Sequence, residues 1–387
     1  MKQTKTWHIV VLTIAVTLFY VVGAVLLIRS HGTGVAFSDW QKVLSLRRNA
    51  RSNQRKISTM APTPTATPTA TATPTPTATA QAVSPGTKVN PNYVGVNPFA
   101  GEKLYIDPYS PAKELVSAWS TTRPADAALI RKIANQSVAT WLGDWINNPQ
   151  AEVTQRVRDM KAQGALPVFV IYNIPNRDCG SYSAGGAGGA SAYKSWINGL
   201  QAGSANTKAV FLLEPDAIAG WDCLSASQRA ERVSLLKYAI TTLTSSPKHY
   251  VYIDAGNSRW QSAQTITNRL REIGLDRLTG VSLNVSNFFT TAESRAYGKQ
   301  ISLLTGGLHV VIDTSRNGQG PAPNLEWCNP EGRGLGEAPR PTPGNGELDA
   351  LLWVKYPGES DGSCRGAPNS GVWMPDYALG LAQRAAF

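Results

Sequence analysis

Few reactive side chains stand in this 387-residue sequence: it has four cysteines, four histidines and four methionines. The cysteines are Cys179, Cys223, Cys328 and Cys364, with no C-x-x-C pair and no histidine-rich stretch beside them. That spacing argues against a zinc site, and neither metal nor cofactor is expected. Charge is missing from two stretches, residues 9–28 and 61–80. A basic surplus is also missing where it would matter. Residues 1–60 hold nine Lys or Arg against the single acid Asp39, leaving 28 basic and 25 acidic residues beyond Met60. The formal charge of +11 is therefore mostly a property of the N-terminal tail. The main body is near neutral and carries no phosphate-binding footprint, so no nucleic-acid partner is expected.

The first uncharged stretch, IVVLTIAVTLFYVVGAVLLI from Ile9 to Ile28, is 20 residues long. As a helix it would cross roughly 30 Å of hydrocarbon. Cleavable leaders have apolar regions of about 7–15 residues, so an uncleaved anchor is preferred to a leader cut after Gly34-Val35-Ala36. Flanking charges leave its orientation open. In either case the rest of the chain is exported, held at the membrane or secreted. The second stretch, APTPTATPTATATPTPTATA, contains only Ala, Pro and Thr and has nothing to pack. It reads as an extended, semi-rigid spacer. The expected organisation is an anchor or signal segment in residues 1–30, a basic segment in 31–60, a linker in 61–87 and one catalytic domain in 88–387. In an exported protein four cysteines suggest two disulfides, for which three pairings exist.

Within the domain, short apolar runs alternate with longer helical stretches. Seven strands are predicted: Ser137–Leu142, Leu166–Tyr172, Ala209–Glu214, Tyr250–Asp254, Gly280–Asn284, Leu308–Asp313 and Ala350–Lys355. Helices are predicted over Ala125–Ala134, Ala151–Gln163, Ala190–Gln201, Ser225–Thr244 and Ser262–Ile273. Greasy strands between helices imply an α/β fold with a parallel sheet covered on both faces, either a barrel or an open doubly wound sheet. The strand ends are more telling than the strands. Asp144, Asp178, Glu214 with Asp216, Asp254, Asn284, Asp313, and Glu359 with Asp361 come at or just after successive ends. In such folds those ends line the active site. A rim of carboxylates with Trp141, Trp145, Trp260 and Trp327 nearby suits glycosidic bond cleavage. One acid must donate a proton while another group handles water, and aromatic faces can stack on sugar rings. Trp196 and Trp353 fall inside element patterns and read as core.

Five blocks in order carry a closer likeness. They are VFVIYNIPNRDCGSYSAGGAGG (Val168–Gly189), LLEPDAIAG (Leu212–Gly220), YIDAGNSRW (Tyr252–Trp260), EWCNPEGRGLG (Glu326–Gly336) and WVKYPGESDG (Trp353–Gly362). Together they resemble glycoside hydrolase family 6, the cellulases comprising endoglucanases and cellobiohydrolases, from about Asn97 to the C-terminus. The resemblance implies a distorted seven-stranded parallel β/α barrel as a single catalytic domain. It implies a monomer acting on β-1,4-glucan with inversion of the anomeric centre, and hence acid and base roughly 6.5–9.5 Å apart. Asp216 would be the general acid, and Asp178 the neighbour whose charge keeps it protonated, with Arg177 holding Asp178 ionised. Asp361 matches the proposed base, although water could instead lose its proton along a chain to Asp178. Trp141, Tyr172, Trp260, Trp327, Lys355 and Glu359 match sugar contacts, and Asn287 is a further candidate. Asp254 would orient neighbouring groups or bind a hydroxyl, while Asp144 and Asp313 could equally be structural acids. The family's disulfides would pair Cys179 with Cys223 and Cys328 with Cys364, each tying an active-site loop.

Two departures matter. Asn257 stands where many members have His, which alters a contact near the sugar. Only a dozen or so residues separate Asp361 from Trp373, where cellobiohydrolases carry a longer insertion that roofs the cleft. A short loop implies an open groove and internal cleavage. An exo-acting cellobiohydrolase and a non-catalytic glucan-binding surface protein are the alternatives compatible with the same residues.

Overall fold

Runs of four to six residues rich in Val, Ile, Leu and Phe are too short for helices and form strands with both faces buried. The computed structural model describes residues 96–343 and 346–387. The anchor, basic segment and linker expected in residues 1–87 lie outside them. Among the described residues no helix is long and apolar enough to cross a membrane.

The strands are β1 (Lys103–Leu104), β2 (Thr140–Gly143), β3 (Ala165–Leu166), β4 (Val168–Tyr172), β5 (Ala209–Leu213), β6 (His249–Asp254), β7 (Gly280–Leu283), β8 (His309–Asp313), β9 (Arg340–Pro341) and β10 (Leu348–Leu352). The helices are α1 (Pro111–Trp119), α2 (Pro124–Ala134), α3 (Pro149–Ala162), α4 (Ala190–Ser204), α5 (Ala226–Leu243), α6 (Ala263–Ile273), α7 (Thr291–Thr305) and α8 (Pro375–Gln383). Several begin on a side-chain cap. Ser225 and Gln228 form a reciprocal capping box at α5, and Ser262 and Thr290 cap α6 and α7.

The main sheet runs β2-β4-β5-β6-β7-β8-β10, all parallel, with β9 added antiparallel on β10. The seven predicted strands are thus the seven parallel ones, within a few residues at each end. β9 has no sequence signal, because two residues of Arg-Pro carry no strand pattern, and Pro167 separates β3 from β4. The sheet curls so that its two ends meet at one place. Ala139 N donates to Trp353 O at 2.9 Å, and Trp141 Nε1 donates to Val354 O at 2.8 Å. No strand ladder joins β2 to β10 among the described residues, so the barrel is closed by these bonds and remains distorted.

Alternate residues divide two cores, as the period-two pleat requires. Phe169, Ile171, Phe211, Leu213, Ile253 and Ile312 face the helices, whereas Val170, Val210, Leu212, Tyr252 and Val311 fill the barrel with Phe99. Register places Val170, Leu212, Tyr252, Gly280 and His309 side by side across five strands. Tyr252 is the large member of that row, and its hydroxyl donates to Asp349, which also pairs with His309 Nδ1 at 2.8 Å. Gly280 makes room beside it. A Cβ there would lie 2.2 Å from His309 O and 2.8 Å from Tyr252 Cδ1. Gly280→Ala is therefore expected to cost about 1–3 kcal/mol through overpacking. Urea unfolding checks this, and a variant with the wild-type midpoint would contradict the packing described.

Candidate active site

The carboxyl ends of the parallel strands carry the polar residues. Several of the segments leaving them bend through left-handed backbone that ordinary residues rarely adopt. Asn176, Asp178, Glu214 and Asp216 have φ values of 57°, 54°, 50° and 70°. Such conformations cost energy and persist only where surrounding contacts enforce them, which is common at functional sites.

Asp216 lies two residues beyond Glu214, at the end of β5. Its backbone N–H donates to Asp254 Oδ1 at 3.0 Å, so Asp254 at the end of β6 fixes the turn that carries it. Nothing among the described residues donates to the Asp216 carboxylate itself. Loss of water, then the charges of Asp254 and Asp178, push its pKa well above the usual carboxylate range. A carboxyl shifted in that direction favours its protonated form, the one that can donate.

Asp254 is 1% exposed and also accepts from Gly256 N at 3.0 Å and Ser282 Oγ at 3.4 Å. Burial pushes it up to about 7 despite those bonds. It acts on Asp216 through the backbone N–H as well as through its charge.

Asp178 sits on the loop after β4 and accepts from Ser183 N at 2.7 Å. Burial raises its pKa, and the Ser183 N–H and the Arg177 charge oppose that rise without cancelling it. Arg177 differs from expectation in its partners. Its guanidinium bonds Asp144 Oδ1 at 3.2 Å, Tyr172 O at 2.7 Å and Ser183 O at 2.7 Å, and stacks on the Tyr172 ring at 4.5 Å. It acts on Asp178 only as a nearby charge. Asp144, which also accepts from Gly186 N at 3.0 Å, is thereby a loop-holding acid.

Asp361, 6% exposed, is engaged mainly through one of its two oxygens. Its Oδ2 accepts from Arg316 Nη1 at 2.8 Å and Asn329 N at 3.0 Å, while Lys355 Nζ stands 3.7 Å from Oδ1. Arg316 is a site residue that sequence reasoning misses. Its one signal is its place three residues beyond β8, at the strand-end rim. Lys355 Nζ also donates to Ser360 O at 2.9 Å, and burial lowers its pKa. Burial pushes Glu359 up to about 7 against the opposing charges of Lys355 and Arg316.

Asp313 is structural. Buried at 1% exposure, it accepts from the backbone N–H groups of Ser286, Ser315, Val354 and Lys355 and so ties three loops together. Asn284 likewise uses its amide on Phe289 and Asp313 backbone. Asn287 Oδ1 accepts from the next N–H, of Phe288, and Asn257 Oδ1 caps Arg259 N at 3.0 Å.

The aromatic residues flank these acids. Trp141 meets Tyr172 edge to face at 5.3 Å between centroids. Trp260 is 44% exposed and lies over Gly220 and Gly256, where a Cβ would come within 3.0 and 3.2 Å of its ring. Trp327 is 43% exposed and meets Tyr182 at 6.0 Å. That contact joins the loop after β4 to the loop after β8, and Ser183 Oγ, which donates to Ser370 Oγ at 3.0 Å, joins it to the loop after Asp361. Trp196 and Trp353 are core, as expected. Both disulfides form as the resemblance implied, Cys179 with Cys223 and Cys328 with Cys364.

Residues 99–385 match the family described as Glycosyl hydrolases family 6. Endoglucanase A of Cellulomonas fimi is 46% identical over 285 residues, which are 73% of this chain and 61% of that protein. The chain thus spans less than two thirds of that relative's length. Endoglucanase 1 of Streptomyces halstedii is 41% identical over 287 residues, 71% of this chain and 87% of that one. The endoglucanase Cel6 from Mycobacterium tuberculosis has been solved in complex with methyl-cellobiosyl-4-deoxy-4-thio-β-D-cellobioside. It superposes with a TM-score of 0.71 at 45% identity, covering 75% of this chain and 99% of that chain.

Acids with raised pKa values make stability depend on pH in an unusual direction. Glu214, Asp254 and Glu359 are each raised to about 7 in the folded state. Their unfolded values lie near 4, so between about pH 4 and pH 7 the folded chain binds more protons. Their stabilising contribution is fully present below that window and is lost as pH rises through it. Thermal unfolding is expected to show a higher Tm at pH 5 than at pH 8. A Tm that rises over that interval would contradict the burial described.

Proposed function

This chain belongs to glycosyl hydrolase family 6, and on that premise we propose that it hydrolyses internal β-1,4-glucosidic bonds in cellulose or related glucans with inversion. The observation that carries the reading is Asp216 at a strand end, a carboxyl with no hydrogen-bond donor among the described residues, its pKa raised by loss of water and by two neighbouring acids. Its proton goes to the glycosidic oxygen as the bond breaks. Water attacks the anomeric carbon from the opposite face, and its proton leaves through a second group.

Asp361 matches the family's proposed base. However, taking up a proton there would cancel the charge that pairs it with Arg316 and Lys355. The pairing favours a water chain that delivers the proton towards Asp178, with Asp361 holding Lys355 in position. Trp141, Tyr172, Trp260 and Trp327 supply faces for sugar rings, and Lys355, Glu359 and Asn287 supply polar contacts to hydroxyls. Attack at internal bonds is supported by the path after Asp361. Ser360 N bonds Val372 O at 2.9 Å and Gly371 N bonds Ser360 O at 3.0 Å, so the chain returns at once and has little length with which to roof a cleft. The resemblance to endoglucanases from Cellulomonas and Streptomyces supports the same mode.

The domain would act outside the cell, with residues 9–28 as an anchor or a cleaved leader and residues 61–87 as a spacer. Two disulfides support an oxidising compartment.

On carboxymethylcellulose, viscosity should fall well ahead of soluble-sugar release, and the first product anomer should be α. Cellobiose release at unchanged viscosity would sink the internal mode, and a β-anomer the inversion. Asp216→Ala should lower turnover of unactivated glucan by on the order of 10²–10⁴-fold, with substrate binding retained. Undiminished turnover would remove Asp216 as the acid.

A further inference from the structure

Arg232 on α5 is a buried cation, 4% exposed, with no carboxylate among the described residues bonded to it. It sits instead between the two loops that carry Asp178 and Asp216. Nη1 donates to Ala217 O at 3.2 Å, one residue beyond Asp216. Nη2 donates to Pro175 O at 3.1 Å and Asn176 O at 2.7 Å, three and two residues before Asp178. Glu214 works on the same pair of loops from the other side. Fully buried, its Oε2 accepts from Asn173 N at 2.9 Å and Ile174 N at 3.0 Å, where the Asp178 loop leaves β4. Burial lowers the pKa of Arg232, and the field of Glu214 opposes that fall.

A buried ion is costly, and an apolar side chain would fill the same volume with a smaller penalty. What an apolar chain lacks is a planar fork that reaches three carbonyls in set directions. The segments so held include the left-handed residues Asn176 and Asp178 on one loop and Glu214 and Asp216 on the other. The Cys179–Cys223 bond closes the same two loops from their exposed side.

We infer that Arg232, with Glu214, forms an inner brace that sets the spacing of Asp178 and Asp216, making Arg232 a positioning residue for proton donation. It touches neither substrate nor acid. Loosening the brace lets Asp178 move away and water approach Asp216, so two of the three influences that raise its pKa weaken while that of Asp254 remains. The acid then loses its proton at lower pH.

The inference rests on the hydrolase reading, and one experiment separates the two. The full chain, its Arg232→Lys variant and its Glu214→Gln variant are assayed across pH on cellohexaose and on an aryl cello-oligosaccharide with a nitro-activated leaving group. For Arg232→Lys, kcat on cellohexaose should fall by on the order of 10²-fold, with KM close to wild type. The alkaline limb of its pH profile should move to lower pH, and the activated substrate should lose much less. Should Arg232→Lys fail to fold, Glu214→Gln decides, since it keeps an acceptor for Asn173 and Ile174 while losing the charge. Its limb should move the same way by a smaller amount. An unmoved limb with equal losses on both substrates, even if Tm falls, overturns the brace. A wild type with no turnover of cellohexaose would sink the hydrolase reading and the brace with it, whereas an active wild type with unmoved variants sinks the brace alone.

Discussion

Carboxyl groups repel one another when ionised, and the repulsion grows as water is removed from between them. In this protein the buried Asp254 and the half-buried Asp178 lie near enough to Asp216 that their charges, with its own loss of water, raise its pKa and favour its protonated form. Most other features of the polar end of the barrel can be understood as what is needed to hold that arrangement. Left alone, the loops would swing apart and let water in. Disulfides fasten the rim, and buried polar side chains fasten the interior. The greasy strands beneath give the loops a rigid platform that does not itself take part in the chemistry.

This arrangement stores instability at the site. Glu214 and Asp254 are kept away from water, and they and the half-buried Glu359 have a pKa of about 7. Left-handed backbone at Asp178, Glu214 and Asp216 adds to the cost. The offset comes from two apolar cores on either side of the sheet, which together bury nearly every strand residue. Asp313 shows the other use of a buried acid. Its four backbone donors satisfy it fully, and it serves to join loops.

Much of this is legible in the sequence. Strands buried on both faces write themselves as continuous apolar runs, so the seven parallel strands and the acids at their ends can be read directly. The five blocks then point to the pairing of the cysteines and to Asp216. Partners brought in from elsewhere cannot be read in this way. Arg232 lies on a helix, Arg316 beyond a different strand, and neither spacing nor periodicity links them to Asp178 or Asp361. Asp254 and Asp313 look alike as strand-end acids. Only their donors separate them, because one bonds the backbone of the acid and the other bonds four N–H groups of neighbouring loops. Arg177 likewise looks like the partner of Asp178 through adjacency, yet its guanidinium turns to Asp144 and to carbonyl groups.

The proton on Asp216 is the point on which the mechanism stands or falls, and it can be observed without any substrate. Protein labelled with ¹³C at aspartate side-chain carboxyls would be titrated by NMR, with Asp216→Asn assigning the resonance. The account predicts a carboxyl that stays protonated through neutral pH and ionises only well above the range of the exposed aspartates. A resonance for Asp216 that titrates near pH 4 with those exposed groups would contradict it.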